Sequence, residues 1–131
     1  PPLFLSDFAW WRRGELDIEA MRQGAAHLIG EHDFKSFCKT ASAEGKTTMR
    51  RVDDISIIYE EQMGESCLVV KVVGNAFLHS MVRTIVGTLV QVGAGHRDPD
   101  WVADVLAACD RNAAGETAPA HGLTFWHVSY A

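Results

Sequence analysis

The sequence predicts a single α+β domain over residues 1–131, in which an antiparallel sheet of about four strands carries helices on one face. Three observations lead to this prediction. A chain of 131 residues fits one domain. Its 47% hydrophobic and 22% charged residues are typical of a globular protein. Segments with helical apolar spacing alternate with shorter segments of strand-like composition.

The first half of the chain predicts one helix and a pair of strands. Residues 1–14 are apolar without a helical period and predict an extended segment packed across the domain. A helix is predicted over residues 17–30, capped by Asp17 and ended by Gly30. Gly24 inside it costs about 1 kcal/mol relative to alanine, and a close backbone approach would compensate. Residues 34–37 predict a short strand or bend.

Residues 47–60 and 66–73 read as two strands joined by a hairpin turn at Gly64. The alternation of the first strand breaks after Val52, so a bulge is expected at Asp53 and Asp54. Several consecutive apolar residues in the second strand predict burial on both of its faces.

The segment from Gly74 to Gly93 predicts the central helix, because adjacent apolar pairs recur every four residues. Asn75 is a candidate N-cap and Gly93 a candidate stop. His79, Arg83 and Gly87 form one row at the border of the apolar face. Helix geometry alone favours an Arg83 that lays its stem over the core and keeps its charge in solvent.

The end of the chain predicts one more helix and a closing strand. Asp98 is a favourable N-cap, and Pro99 is suited to the first helical position. A loop is expected over residues 112–122 and a strand over residues 123–130.

Four segments in this order resemble the tRNA pseudouridine synthase A family: LIGEHDFKSF, TTMRRV, GNAFLHSMVRTIVGTLVQVG and TAPAHGLTFWHVSY. The resemblance covers almost all 131 residues but only the C-terminal half of the family's chain. It implies half of the duplicated pseudouridine synthase core. It also implies an isomerase that converts uridine to pseudouridine in the tRNA anticodon stem-loop, without a cofactor.

The resemblance also assigns residues. The family's nucleophilic aspartate lies in an Arg-Thr-Asp-x-Gly-Val-His motif of the N-terminal half, which this sequence does not contain, so the chain alone is expected to be inactive. Arg83 matches the arginine that pairs with that aspartate. Leu123 matches the leucine that packs near the target base, and a core leucine at a strand start is the alternative.

Charge is distributed unevenly along the chain. The net charge is −5, which by itself argues against strong nucleic-acid binding. Residues 35–51, however, contain five basic residues and one acidic residue, Glu44, which gives a local charge of +4. This segment is either an RNA-facing surface or a solvated loop. The predicted RNA-binding residues, with His79 of the Arg83 row added, are Lys35, Lys39, Lys46, Arg50, Arg51 and His79.

The remaining expectations concern cofactors, partners and compartment. Three separated cysteines and six dispersed histidines predict reduced thiols and no metal site. The sequence contains no run of about 18 apolar residues, so a membrane span is not expected. The start at Pro1 and Pro2 fits an excised fragment. The resemblance implies a cytoplasmic protein whose partners are tRNA, the missing N-terminal half and a second subunit of a homodimer. A non-catalytic RNA-binding module and a protein-interaction domain are the alternatives.

Overall fold

The computed structural model describes residues 2–12, 15–38, 47–62, 65–78, 80–118 and 123–129, with the backbone only for residues 2, 11–12, 61–62 and 123–129. Five strands and three α-helices lie within these ranges. In chain order they are β1 (Pro2–Arg12), α1 (Ile18–Ala26), β2 (Gly30–Asp33), β3 (Met49–Gln62), β4 (Glu65–Gly74), α2 (Met81–Gly93), α3 (Trp101–Ala108) and β5 (Leu123–Ser129).

The strands form one antiparallel sheet in the order β2-β3-β4-β1-β5, which confirms the predicted α+β class. The first segment is a full member of this sheet, since Phe8 pairs with Val70 on β4 and with Leu123 on β5. The sequence had suggested only an extended segment across the domain. Apolar residues on both faces of β1, such as Phe4 and Leu5, hide the alternation that identifies a strand.

The predicted hairpin and bulge are both present. β3 and β4 pair from Gln62 and Glu65 onward, while the expected turn at Gly64 lies outside the described residues. The register shifts between Val52 and Asp54, which confirms the bulge. Residues 35–37 form a 3₁₀ turn, and the strand of this region is β2, immediately before it.

Helix α1 begins as predicted, because the Asp17 carboxylate accepts a hydrogen bond from the Ala20 amide at 3.0 Å. It ends at Ala26, before the predicted stop, since the amides of residues 27 and 28 bond to carbonyls only three residues back. Gly30 has φ of +105° and leads into β2. A Cβ on Gly24 would lie 3.0 Å from the Val102 side chain, so α1 packs closely against this side chain, whereas the nearest backbone atom, the Pro99 carbonyl oxygen, would be 3.8 Å away.

Helix α2 starts later than the sequence predicted. Asn75 does not cap it: its side chain accepts from the Arg51 amide at 2.8 Å, and its own amide donates to the Arg51 carbonyl at 3.0 Å. Asn75 therefore holds the end of β4 to β3. The residue before α2 is Ser80, with φ of 63°. The helix ends at Gly93, as predicted, but Gly93 is itself helical and the glycine in the left-handed conformation is Gly95.

Asp98 accepts a hydrogen bond from the Asp100 amide at 3.0 Å and so caps the turn that leads into α3, although the α-helix itself begins at Trp101.

The core lies between the helices and one face of the sheet. Burial removes large apolar side chains of all three helices from water, which drives the two layers together. The buried set includes Phe8, Met21, Leu68, Val70, Val72, Ile85, Leu89 and Val105.

Candidate functional site

Arg83 is the third residue of α2 and is half-buried. Its Nε donates to the Ala118 carbonyl at 2.8 Å, while the Ala118 amide donates to the Arg83 carbonyl at 3.0 Å. Among the described residues, neither terminal nitrogen of this guanidinium has a hydrogen-bond or ion-pair partner. The side chain is thus held at Nε, and its outer edge has the geometry that grips a carboxylate with two parallel bonds.

The helix start around Arg83 is electrostatically unusual. The amino end of a helix carries a partial positive charge, which normally attracts acidic side chains. The first turn of α2 contains no acid and no side-chain cap, and Arg83 adds a full positive charge. A cation in this position is unfavourable for the isolated helix. The helix end and the guanidinium together favour an anion beside them.

Residues 115–118, which we call the docking segment, lie directly on α2. The Gly115 amide donates to Thr88 Oγ1 at 3.1 Å. A Cβ on Gly87 would lie only 1.7 Å from the Glu116 carbonyl oxygen. Gly87, in the same helical row as Arg83, therefore permits the contact that brings Ala118 within reach of Arg83.

Leu123 and His79 are less fully defined than Arg83. Leu123 is the first residue of β5, and its Cα pairs with that of Phe8. The Leu123 side chain and residues 119–122 lie outside the described residues, as does His79. The predicted roles of both residues stay predictions.

The predicted basic residues do not all share one surface. Lys35 is exposed, and Arg50 is half-buried with Nη1 donating to the carbonyls of Thr47 and Met49 at 2.9 and 2.7 Å. Arg51 follows Arg50 on β3 and so points to the opposite face of the sheet. Its Nε pairs with the Asp53 carboxylate at 2.9 Å. Lys39 and Lys46 lie outside the described residues.

Arg111 is a basic residue that the sequence reasoning missed. Its Nη2 donates to Thr117 Oγ1 at 2.8 Å. Burial and Asp33 raise the pKa of the Cys38 thiol, whereas the positive charges of Lys35, Arg50 and Arg111 oppose that rise. Arg111 therefore lies near the same thiol as two of the predicted cations. No local pattern marks it, because its partners are in other elements.

The remaining reactive side chains are the cysteines and the potential metal ligands. Cys38, Cys67 and Cys109 are all free thiols. Within the described ranges, no three His, Cys, Asp or Glu side chains are grouped so that they could bind a metal ion. None of the described helices has the length and apolar character needed to cross a membrane.

The amino-acid sequence of this domain has clear counterparts among known proteins. The sequence profile of the tRNA pseudouridine synthase family matches residues 25–131. The chain therefore belongs to the tRNA pseudouridine synthase family, as its sequence motifs predicted.

Three relatives carry the name tRNA pseudouridine synthase A. The protein of Brevibacillus brevis is 50% identical over 118 residues, which are 90% of this chain and 46% of the relative. That of Francisella tularensis subsp. novicida is 43% identical over 129 residues, 98% of this chain and 48% of the relative. That of Halalkalibacterium halodurans is 46% identical over 121 residues, 92% of this chain and 44% of the relative. The chain thus spans just under half the length of these relatives.

Proposed function

We propose that residues 1–131 form the C-terminal domain of a longer tRNA pseudouridine synthase. In this longer enzyme, the chain supplies the Arg83 side of the active-site cleft, and the N-terminal half supplies the nucleophilic aspartate. The observation that carries the proposal is the half-buried Arg83, fixed at Nε and placed in a helix turn without any acid. A cation held in this way serves an anion from outside the described residues better than it serves the stability of α2.

The proposed role of Arg83 follows from its geometry. The Ala118 carbonyl occupies Nε, so the two terminal nitrogens are left to face a carboxylate end-on. Two parallel bonds fix the direction of that carboxylate as well as its distance. The positive charges of Arg83 and of the α2 terminus both favour the ionised form, which lowers the pKa of the aspartate and keeps it nucleophilic near neutral pH.

The remaining residues are assigned to tRNA and its target base. Leu123 gives the uridine an apolar surface once the base has left its stack in the anticodon stem-loop. The tRNA backbone is assigned to Lys35, Lys39, Lys46, Arg50 and His79. Arg51, on the opposite face of β3 from Arg50 and paired with Asp53, is assigned a weaker contact. The enzyme acts in the cytoplasm as a homodimer. It needs no cofactor, because the aspartate, Arg83 and the apolar surface of Leu123 suffice for the proposed chemistry.

We expect the 131-residue chain alone to form no pseudouridine. Arg83 polarises and orients a carboxylate but is not itself a nucleophile, so the reaction requires the aspartate of the proposed N-terminal half. The test measures tritium release from tRNA labelled at uridine C5, with this chain, with the longer enzyme and without protein. Turnover by the chain alone would contradict the proposed division of roles. Inactivity of the longer enzyme on every tRNA tested would contradict the proposed function itself.

We also expect Lys35→Gln and Arg50→Gln to weaken tRNA binding in a salt-dependent manner. Each phosphate contact contributes about 0.9 to the log–log slope of affinity against salt for a duplex. Each variant should therefore reduce the magnitude of the slope by roughly 0.9. Arg51→Gln should reduce it less, because Asp53 already offsets the Arg51 charge.

The matched control for these variants is Arg97→Gln, which removes an exposed arginine that stacks on Trp101. Filter binding of tRNA to the longer enzyme at several salt concentrations measures the slopes for wild type and for all four variants. Equal slopes for wild type, Lys35→Gln and Arg50→Gln would place both residues away from the RNA.

A further inference from the structure

The docking segment is held to α2 by three contacts already described. Thr88 binds Gly115, Gly87 admits the Glu116 carbonyl, and Arg83 exchanges two hydrogen bonds with Ala118. The segment itself has no regular secondary structure. Its conformation therefore depends on such contacts rather than on a repeating backbone ladder.

Arg111 holds the same segment through Thr117. Its Nη2 donates to Thr117 Oγ1 at 2.8 Å, and that hydroxyl lies 3.5 Å from Thr84 Oγ1. Thr84 is fully buried and follows Arg83 in α2. The Thr117 hydroxyl thus contacts both the Arg111 guanidinium and α2, one residue before the carbonyl that binds Arg83.

The backbone that carries Arg111 is firmly anchored. The Asp110 amide donates to Ser36 Oγ at 2.8 Å, and the Ser36 hydroxyl donates to the Val105 carbonyl at 2.7 Å. Ser36 is fully buried. The Asp110 carboxylate also accepts from the Asn112 amide at 3.0 Å, which fixes the 3₁₀ turn that Arg111 begins. The position of the Arg111 backbone is therefore set independently of Thr117, so Arg111 can hold Thr117 in place.

We propose that Arg111 is a positioning residue for Arg83, acting through Thr117 and the Ala118 carbonyl. This inference rests on the proposed function, in which Arg83 must present its outer edge to a carboxylate. If Thr117 is released, the adjacent Ala118 carbonyl gains freedom, and the Nε bond no longer fixes the plane of the Arg83 guanidinium. A misplacement of about 1 Å in an active site can lower a rate by about 100-fold.

The proposal distinguishes Arg111 from the phosphate-binding cations. A phosphate contact alters tRNA affinity and its salt dependence. A positioning residue alters the chemical step and leaves both of these nearly unchanged. Thr117 separates the two roles further, since its hydroxyl carries no charge to attract a phosphate.

The first test follows the Arg83 Nε–H resonance by NMR in the 131-residue chain. In wild type this hydrogen exchanges slowly because it is bonded to Ala118. In Arg111→Gln and Thr117→Val we expect at least about tenfold faster exchange, as one link to the segment is lost. Thr117→Ser keeps the hydroxyl and should behave as wild type, and so should Arg97→Gln. Unchanged exchange in both Arg111→Gln and Thr117→Val, with folding verified by circular dichroism, would overturn the proposal.

The second test measures single-turnover rates and tRNA affinity in the longer enzyme. Arg111→Gln and Thr117→Val should each lower the single-turnover rate by about 10- to 100-fold, with little change in tRNA affinity. Thr117→Ser, which keeps the hydroxyl, should retain the wild-type rate. The double variant should be no slower than the slower single variant, because both changes break one link. An unchanged rate, or a loss explained by a smaller salt slope, would overturn the proposal.

The two tests separate this inference from the proposed function. If the longer enzyme forms no pseudouridine while the NMR experiment shows the coupling, the function is wrong and the link between Arg111 and Arg83 stands. If the enzyme is active and Arg111→Gln matches wild type in both tests, the function stands and the positioning role is wrong.

Discussion

Replacing Arg83 with alanine in the longer enzyme should lower the rate of the chemical step by two to three powers of ten or more, with little loss of tRNA affinity. Removing one partner of a buried ion pair costs roughly 3–5 kcal/mol, since the other charge is left unpaired. At about 1.4 kcal/mol per power of ten, this cost accounts for the expected factor. The structure supports a specific effect because Arg83 is bonded to Ala118 and does not extend freely into solvent.

The substitution should also shift the pH dependence of the reaction. In the proposed pairing, Arg83 lowers the pKa of the aspartate, so the wild-type enzyme should keep this carboxylate ionised well below neutral pH. Without Arg83 its pKa rises, and the rate should fall as the pH decreases through the new, higher value. Single-turnover rates between about pH 5 and 9 would show the limb on the acidic side moving to higher pH.

Arg83→Lys should recover only part of the rate. Lysine keeps the charge but loses the planar fork, and it lacks a donor equivalent to Nε for the Ala118 carbonyl. Arg22→Ala is a matched control, because Arg22 also donates to a backbone carbonyl, that of Ile57 at 3.0 Å, and is assigned no role at the site. If Arg83→Ala weakened tRNA binding and left the single-turnover rate intact, Arg83 would be a phosphate contact and the assignment would be wrong.

The features that sequence reasoning predicted correctly are those that depend on neighbouring residues. Asp17 caps α1 because its carboxylate reaches an amide three residues ahead. The bulge at Asp53 was visible because the alternation of β3 breaks at that point. Arg83 was placed at the border of the apolar face by helical spacing alone, and it is indeed half-buried. In each case the information lies within a few residues of the feature.

The features that it missed depend on contacts between distant parts of the chain. Apolar spacing continues through Phe77 and Leu78, so nothing local indicates that α2 begins only at Met81. Asn75 is drawn away from the helix by Arg51, 24 residues earlier. Ala118 lies 35 residues from the Arg83 side chain that it binds. Arg111 owes its place to Ser36 and Thr117, a combination that no periodicity encodes.

The second large effect is expected for Gly87→Ala in the 131-residue chain. Alanine is favoured over glycine in a helix interior by about 1 kcal/mol, so the change would stabilise an isolated α2. Here the new Cβ would lie 1.7 Å from the Glu116 carbonyl oxygen and 2.9 Å from its carbon. Both are backbone atoms, which cannot turn away as a flexible side chain can. The docking segment must therefore leave α2.

We expect Gly87→Ala to lower the free energy of unfolding by about 2–3 kcal/mol in urea titrations followed by circular dichroism. Displacement of the segment relieves the clash but removes three hydrogen bonds of about 1 kcal/mol each and the packing of the segment on α2. The helix propensity of alanine offsets about 1 kcal/mol of this loss. The bonds at risk are those between Gly115 and Thr88 and between Ala118 and Arg83.

Gly24→Ala is the matched control, since it also places a Cβ inside a helix against close neighbours. Those neighbours are the side chains of Val102 and Leu89, at 3.0 and 3.3 Å, which can adjust. Its unfolding free energy should stay within about 1 kcal/mol of wild type, because the gain in propensity offsets the tighter packing. Equal stability of the two variants would show that the docking segment does not depend on Gly87. If only Gly87→Ala is destabilised and its Arg83 Nε–H exchanges rapidly, the absence of a Cβ at Gly87 is what allows Ala118 to hold Arg83.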